Sequence, residues 1–208
     1  MPKDTRISMP VIRRLPRYYR FLFDLKENGV VRISSRELSR RMGLTASQIR
    51  QDLNCFGGFG QQGYGYAVDQ LYAEIGRILG VDHPTPAILL GVGNLGKAIV
   101  RHMDFAGRGF RLVGLFDDAP QLQQQTLQGM PILPTEQLEG FCAEHQPRMA
   151  VLCLPKEAAP AVVERLIRCG VTGFWNFSHY DIAHDHPDVV VENVHLGDSL
   201  MTLSYQMK

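Results

Sequence analysis

The sequence predicts an α/β protein with an N-terminal winged helix-turn-helix domain followed by a Rossmann-like, doubly wound parallel sheet domain with a C-terminal helix. Three observations predict it. Two capping boxes, Ser34-x-x-Glu37 and Thr45-x-x-Gln48, open two short helical patterns separated by Gly43-Leu44, the pattern of paired helices joined by a tight turn. Asp82-His83-Pro84-Thr85-Pro86 then interrupts the periodicity, because two prolines in three residues cannot continue a helix. Beyond it, apolar runs alternate with helical patterns, the order that builds βαβ units and a parallel sheet covered on both faces. The expected domains are 1–82 and 87–208.

The elements follow in order. From Val11 to Leu25 the apolar residues Ile12, Leu15, Tyr19, Leu22 and Phe23 recur at helical spacing, with Arg13, Arg17 and Arg20 off that stripe and Asn28-Gly29 at its end. The capping boxes open helices running to Met42, where Gly43 stops the chain, and to about Phe56. Residues 56–66 (FGGFGQQGYGY) hold five glycines and four aromatic residues, a hairpin suited to a β-wing. Val68–Leu79 returns to helical spacing through Leu71, Ile75, Ile78 and Leu79. After the break, strands are expected at 87–90, 110–116, 130–133, 149–154, 173–177 and 189–191. Helices are expected from Asn94, near 135–145, at 157–169 and at 196–205, and Gln121 to Gln125 reads as a polar turn.

Composition excludes several classes. Of 208 residues, 45% are hydrophobic and 21% charged, enough apolar content for a real core and too much for disorder. No apolar run approaches the roughly 18–20 residues of a membrane span, and the arginine-interrupted N-terminus lacks the apolar core of a secretory signal. Four scattered cysteines without a C-x-x-C pair suit a reduced, cytoplasmic compartment. His184 and His186 sit in a polar loop among Asp181, Asp185 and Pro187, without the ligand spacing of a metal site. The net charge of +1 conceals an asymmetry. Residues 1–82 carry 13 basic and 8 acidic side chains, whereas 83–208 carry 9 and 13. An anionic partner is therefore expected for the front half only.

Gly91-Val92-Gly93-Asn94-Leu95-Gly96 fits G-x-G-x-x-G directly after an apolar strand and opens a helical pattern. Gly91 allows the tight turn, Gly93 lets the backbone approach a pyrophosphate, and Gly96 lets helix and strand pack closely. The helix N-terminus offers free N–H groups and partial positive charge to phosphates. Asp117, 26 residues after Gly91 and at the tip of the next strand, is placed to accept hydrogen bonds from both adenosine ribose hydroxyls and to repel a 2′-phosphate, which favours NAD(H) over NADP(H). A bare βα turn or a CoA-type nucleotide site remains the alternative. Pro155 and the run Asn176–His179 should lie at the carboxyl edge of the sheet, where ligands bind. His179 and Tyr180 suggest acid–base chemistry, but no substrate-clamping Arg or Lys accompanies them and little chain is left for a substrate domain, so no catalytic residue is assigned.

In the helix after Thr45, Ser47, Gln48, Arg50 and Gln51 alternate with Ala46, Ile49 and Leu53. Packing the apolar set would turn the polar set outward, where Arg50 can pair a guanine or phosphate and Gln48 or Gln51 can read adenine. Arg13, Arg14, Arg17, Arg36, Arg40 and Arg41 would surround it as phosphate contacts. A solvated basic face on a small helical module is the alternative.

T-A-S-Q-I-R-Q-D-L at 45–53, F-G at 56–57, G-Y-G-Y at 63–66, G-V-G-N-L-G at 91–96 and E-N-V-H at 192–195 together resemble the Rex family of redox-sensing transcriptional repressors, over nearly the whole chain. The resemblance implies a homodimer, bound to operator DNA of fermentation or anaerobic-respiration genes and released when the NADH/NAD+ ratio is high. It implies that the glycine loop, with Asn94, Leu95 and Asp117, binds the dinucleotide, that Ser47, Gln48, Arg50 and Gln51 face DNA with Gln62 and Tyr64 in the wing, and that about 196–205 crosses to the partner subunit. Arg20 falls where the family often has an arginine at the domain interface. The chain departs from the family at Gln51 and Gln62, where Lys and Arg are common, and at His195 and His102, where Asp and Tyr are common. If His102 and His195 take part in the switch, release should depend on pH between about 5 and 8. Two other functions stay open from the residues: a small NAD-dependent oxidoreductase, and a CoA- or nucleotide-binding regulator without redox sensing.

Overall fold

A computed structural model describes residues 7–57, 60–61, 64–123 and 125–208. The chain divides into two compact units, 1–82 and 83–208. The first contains α1 (Met9–Glu27), β1 (Arg32–Ile33), α2 (Ser35–Met42), α3 (Ala46–Asn54), β2 (Gly60–Gln61), β3 (Gly65–Ala67) and α4 (Val68–Leu79). Both capping residues act as their spacing predicts: Ser34 Oγ accepts from the Glu37 N–H and Thr45 Oγ1 from the Gln48 N–H, each at 3.1 Å. Gly43 closes α2 in the left-handed conformation. The wing is a three-stranded antiparallel sheet in the order β1-β3-β2. The strand β1 was not anticipated, since two residues acquire strand geometry only through their partner.

The inner stripe of α1 is Val11, Leu15, Tyr18, Leu22 and Leu25, a rotation from the expected Ile12, Tyr19 and Phe23. The cause is polar. The Tyr18 hydroxyl finds an acceptor inside, Asp52 at 2.9 Å, which allows the whole ring to be buried. Tyr19 instead stacks on Tyr72 of α4, with ring centroids 4.4 Å apart. Leu38 and Met42 from α2, Ile49 and Leu53 from α3, and Leu71 and Ile75 from α4 complete this core.

The second unit runs β4 (Thr85–Leu90), α5 (Asn94–His102), β5 (Phe110–Phe116), β6 (Thr126–Leu127), β7 (Met130–Leu133), α6 (Leu138–His145), β8 (Met149–Leu152), α7 (Ala159–Arg168), β9 (Gly173–Asn176), α8 (Ile182–Asp185), β10 (Val190–Asn193) and α9 (Leu196–Gln206). The sheet order is β10-β9-β8-β4-β5-β7-β6, parallel except for the β6–β7 hairpin. Strand order thus reverses between β4 and β8, the switch point at whose carboxyl end doubly wound sheets bind ligands. Alternation along β4 divides the core: Ile88 and Leu90 pack with α6 and α7, whereas Ala87 and Leu89 pack with α5.

Several details differ from the sequence reading. β4 starts at Thr85 and includes Pro86, tolerated at a strand's beginning where a missing N–H costs least. The β6–β7 hairpin is an addition to the expected strands, turning on Gln128 and Gly129 at φ 51° and 77°, the two left-handed residues a two-residue turn requires. The expected polar loop around His184 contains the short helix α8, whose first turn is capped by Asp181. Coverage of the sheet is uneven. Beyond α5, one face carries an apolar groove of about 820 Å³ lined by Met103, Phe105, Phe110, Met149, Trp175 and others, and no residue of α9 is buried. No helix among the described residues is long and apolar enough to cross a membrane.

Candidate functional site

Two regions bring together side chains with chemistry to offer, one in each unit. In the second, β4 delivers the chain into the glycine loop. Gly91 is buried at φ 89°, and a Cβ there would overlap the Cys153 carbonyl where the chain leaves β8. A Cβ on Gly96 would overlap the Gly91 carbonyl and press on Leu89. Those two glycines let the loop fold tightly against the switch point. Gly93 is different. Nothing lies within 4 Å of where its Cβ would be, and Gly93, Asn94 and Leu95 are exposed at the start of α5. Solvent therefore reaches the free N–H groups of that helix terminus, the geometry that accepts a phosphate.

Asp117 sits beside this loop. Its Oδ2 accepts from the buried Val92 N–H at 2.7 Å and its Oδ1 from the Ala119 N–H at 2.9 Å. Each oxygen keeps a lone pair for a further donor. The neighbouring Asp118 is committed elsewhere, taking the Thr135 N–H and hydroxyl, both at 2.8 Å. Pro155 is exposed just past β8. Burial pushes the Cys153 thiol up to about 12, away from the thiolate that a nucleophile needs.

At the same carboxyl edge, Asn176 organises the loop after β9, a network the sequence reading missed. Its Nδ2 donates to the Tyr180 carbonyl and to Asn193 Oδ1, both at 2.8 Å, while its Oδ1 accepts from the Ser178 N–H and hydroxyl. The result holds His179 at φ 60° with its ring stacked on His195. The ring centroids lie 4.8 Å apart and the two Nδ1 atoms 2.8 Å apart. One ring must donate and the other accept, so a pair protonated at both Nδ1 atoms cannot keep the contact. His195 thus pairs with His179, and His102 is exposed in the last turn of α5. No group of three or more metal-ligating side chains occurs among the described residues.

In the first unit, α3 presents Ser47, Arg50 and Gln51 to solvent, with the Arg50 guanidinium 3.2 Å from Ser35 Oγ of α2. Gln48 does not join them fully. It is half-buried, and its Nε2 donates to Asp52 Oδ1 at 2.8 Å. Arg14 departs further from the expected phosphate contact. Its Nε and Nη2 both bond the Asp52 carboxylate at 2.7 Å, a bidentate pair that ties α1 to α3. Asp52 is the residue that sequence reasoning missed, although a carboxylate on the same face as Ile49 and Leu53 was a visible anomaly. Arg40 and Arg41 are both paired with Glu37. Arg13, Arg17, Arg20 and Arg36 are exposed, without an ion-pair partner among the described residues. In the wing, Tyr64 is 71% exposed and its carbonyl accepts from Arg32 at 2.9 Å. Gln62 lies outside the described residues.

The chain matches two family models, "Putative DNA-binding protein N-terminus" over residues 6–54 and "CoA binding domain" over residues 82–180. It is 50% identical to the redox-sensing transcriptional repressor Rex of Thermoanaerobacter pseudethanolicus over 207 residues, covering 100% of this chain and 92% of the relative. Identity to the protein of the same name from Clostridioides difficile is also 50%, over 205 residues that cover 99% of this chain and 97% of that one. Among solved structures, RSP in complex with NAD+ and operator DNA superposes with a TM-score of 0.89 at 48% identity, covering 98% of this chain and 94% of that chain. RSP in complex with NADH gives 0.88 at 46% identity, over 98% and 95% of the two chains.

Proposed function

Because the chain belongs to the Rex family of redox-sensing transcriptional repressors, we propose that it binds operator DNA through α3 and the wing, and releases it when NADH occupies the glycine loop. The observation that carries this reading is the pairing, on one chain, of a capped and solvent-facing α3 with an open glycine loop whose neighbouring carboxylate holds Val92. The protein is a repressor and not an enzyme. It reads the dinucleotide by binding it.

The dinucleotide's phosphates lie over Gly93–Leu95 and its adenosine ribose on Asp117, with Pro155 at the opposite lip of the switch point. Ser47, Arg50 and Gln51 enter the major groove, Tyr64 follows the backbone from the wing, and Arg13, Arg17 and Arg36 meet phosphates. The units 1–82 and 83–208 carry the two activities, in the cytoplasm, where a protein of this charge pattern meets both DNA and dinucleotide. Release requires that NADH bind the DNA-incompetent state better than the competent one, since equal affinity shifts nothing. Two copies act together, with the exposed apolar residues of α9 (Leu196, Leu200, Met201, Leu203 and Tyr205) covered by the second subunit.

Retardation of a palindromic operator, with NADH and NAD+ added separately, tests the proposal. Expected is retardation that NADH abolishes and NAD+ does not. Retardation insensitive to both dinucleotides would remove the redox switch. The CoA-binding family model over 82–180 motivates one competitor: CoA displacing NADH from the loop would favour a CoA-type regulator.

A further inference from the structure

The inner face of α3 carries one carboxylate, and it has no acceptor capacity to spare. Asp52 is fully buried. Its Oδ2 accepts from Arg14 Nε at 2.7 Å and the Tyr18 hydroxyl at 2.9 Å, and its Oδ1 from Arg14 Nη2 at 2.7 Å and Gln48 Nε2 at 2.8 Å. Four donors fill the roughly four lone-pair positions of a carboxylate. Burial alone would raise its pKa, but the hydrogen bonds from Arg14, Gln48 and Tyr18 and the charge of Arg14 outweigh burial and hold it below the usual carboxylate range.

An ionised carboxylate can only accept. The Gln48 side chain must therefore turn its NH2 group toward Asp52, which leaves its carbonyl Oε1 as the acceptor turned away from that partner. A free glutamine exchanges its O and N ends by rotating about one bond, so it can meet acceptors or donors equally well. Here the flipped amide would place Oε1 against Asp52 Oδ1, two acceptors with no proton between them, in a site closed to water on the Asp52 side. Gln48 is the third residue of α3, on the flank between the solvent-facing Ser47 and Gln51 and the buried Asp52. Residues in the first turn of such a helix are the ones that reach base edges.

We propose that Asp52 is a positioning residue which locks the Gln48 amide so that Gln48 reads one operator base pair as an acceptor, selecting an exocyclic amino group (adenine N6 or cytosine N4) against guanine O6 or thymine O4. This inference rests on α3 being the DNA-contacting helix. Adenine is favoured over cytosine, because the second N–H of the same amide can reach adenine N7. Arg14 acts at one remove: it neutralises the buried carboxylate and keeps it in place.

The experiment is a set of operators, each with one base pair of both half-sites exchanged, bound by the full-length protein and read by fluorescence anisotropy. The native chain should show one position where exchanging the amino-bearing base weakens binding by about tenfold or more, the range of one good base contact. Asp52→Asn keeps the shape, and its amide can donate or accept, so Gln48 is free to turn over. It should reduce discrimination at that one position to about twofold, leaving the ranking at other positions unchanged. Gln48→Leu, which leaves the Asp52–Arg14–Tyr18 cluster intact, should lose discrimination at the same position, and Asp52→Asn added to it should change discrimination no further. A structural role alone would instead weaken all operators by one common factor, and that result overturns the proposal. So does Gln48→Leu leaving every preference as it was. A native chain that binds no operator overturns the DNA reading together with this one, whereas native binding with unchanged preferences in both variants overturns this one alone.

Discussion

Asp117 has one observed contact and one proposed role, and only the proposed role is visible in the spacing of the motif. The distance from the glycine loop marks a ribose acceptor. The hydrogen bond to the Val92 N–H adds that the same carboxylate holds the loop in the shape proposed to receive the pyrophosphate. Asp117→Asn keeps one acceptor oxygen but removes the charge that repels a 2′-phosphate. Charged hydrogen bonds are worth about 1.5–3 kcal/mol, so NADH affinity in a calorimetric titration should fall by roughly tenfold or more. NADPH affinity should fall less or rise, and the preference between the two should narrow. An unchanged preference would show that Asp117 does not meet the ribose. Gly91 and Gly96 were legible for a simpler reason: the motif records backbone approaches, and both approaches are there. Arg14 and Gln48 were not legible as inward-facing groups: the inward position of Asp52 could be read beside Ile49 and Leu53, but its choice of partners could not, and Arg14 lies 38 residues away along the chain.

At the scale of elements, local chemistry was legible and partnered geometry was not. Helix starts at Ser34 and Thr45 are written in side chains that bond backbone three residues on. The strands β1 and β6, two residues each, exist only through neighbours, and the rotation of α1 depends on where Tyr18 finds an acceptor. That acceptor also makes the α1–α3 clamp sensitive to acid. Asp52 is held below the usual carboxylate range in the folded chain, while in the unfolded chain it titrates near about 3.9. As pH falls, the unfolded state binds its proton first. The stabilisation is therefore fully present above about pH 5 and is lost as pH drops below 4 toward the folded value. Hydrogen bonds to a charged group set its size at about 2 kcal/mol. Urea denaturation followed by far-UV circular dichroism should show the native chain more stable than Asp52→Asn at pH 7, with the difference closing below about pH 4. Trp175, the single tryptophan, lies in the second unit, so its fluorescence should give the same midpoint for both proteins at each pH. A difference that persists undiminished into acid would mean that Asp52 stabilises by packing and not by charge.

For the molecule as a whole, the near-zero net charge separates into a basic unit, where cations are proposed to meet phosphates, and an acidic unit whose exposed helix terminus at Gly93–Leu95 offers backbone N–H groups. Within the basic unit the structure redistributes the charge. Arg14 is paired with Asp52, and Arg40 and Arg41 share Glu37, which leaves Arg13, Arg17, Arg36 and Arg50 as the expected phosphate-facing cations with no acidic partner among the described residues. If each meets one phosphate, a dimer on a palindrome neutralises about eight, and the logarithm of the binding constant should fall against the logarithm of salt with a slope of about −7. That figure depends on two subunits acting as one body, and α9 is the element with no burial of its own. Ending the chain before Leu196 removes the exposed apolar residues of α9 and leaves both cores intact. Sedimentation equilibrium should then report a monomer, and the salt slope on the same operator should fall to about half. Single-subunit binding to a half-site by the native chain should already show that smaller slope. A truncated chain that remains a dimer with an unchanged slope would place the subunit contact elsewhere, with the apolar groove along β8–β10 as a second face open to a partner.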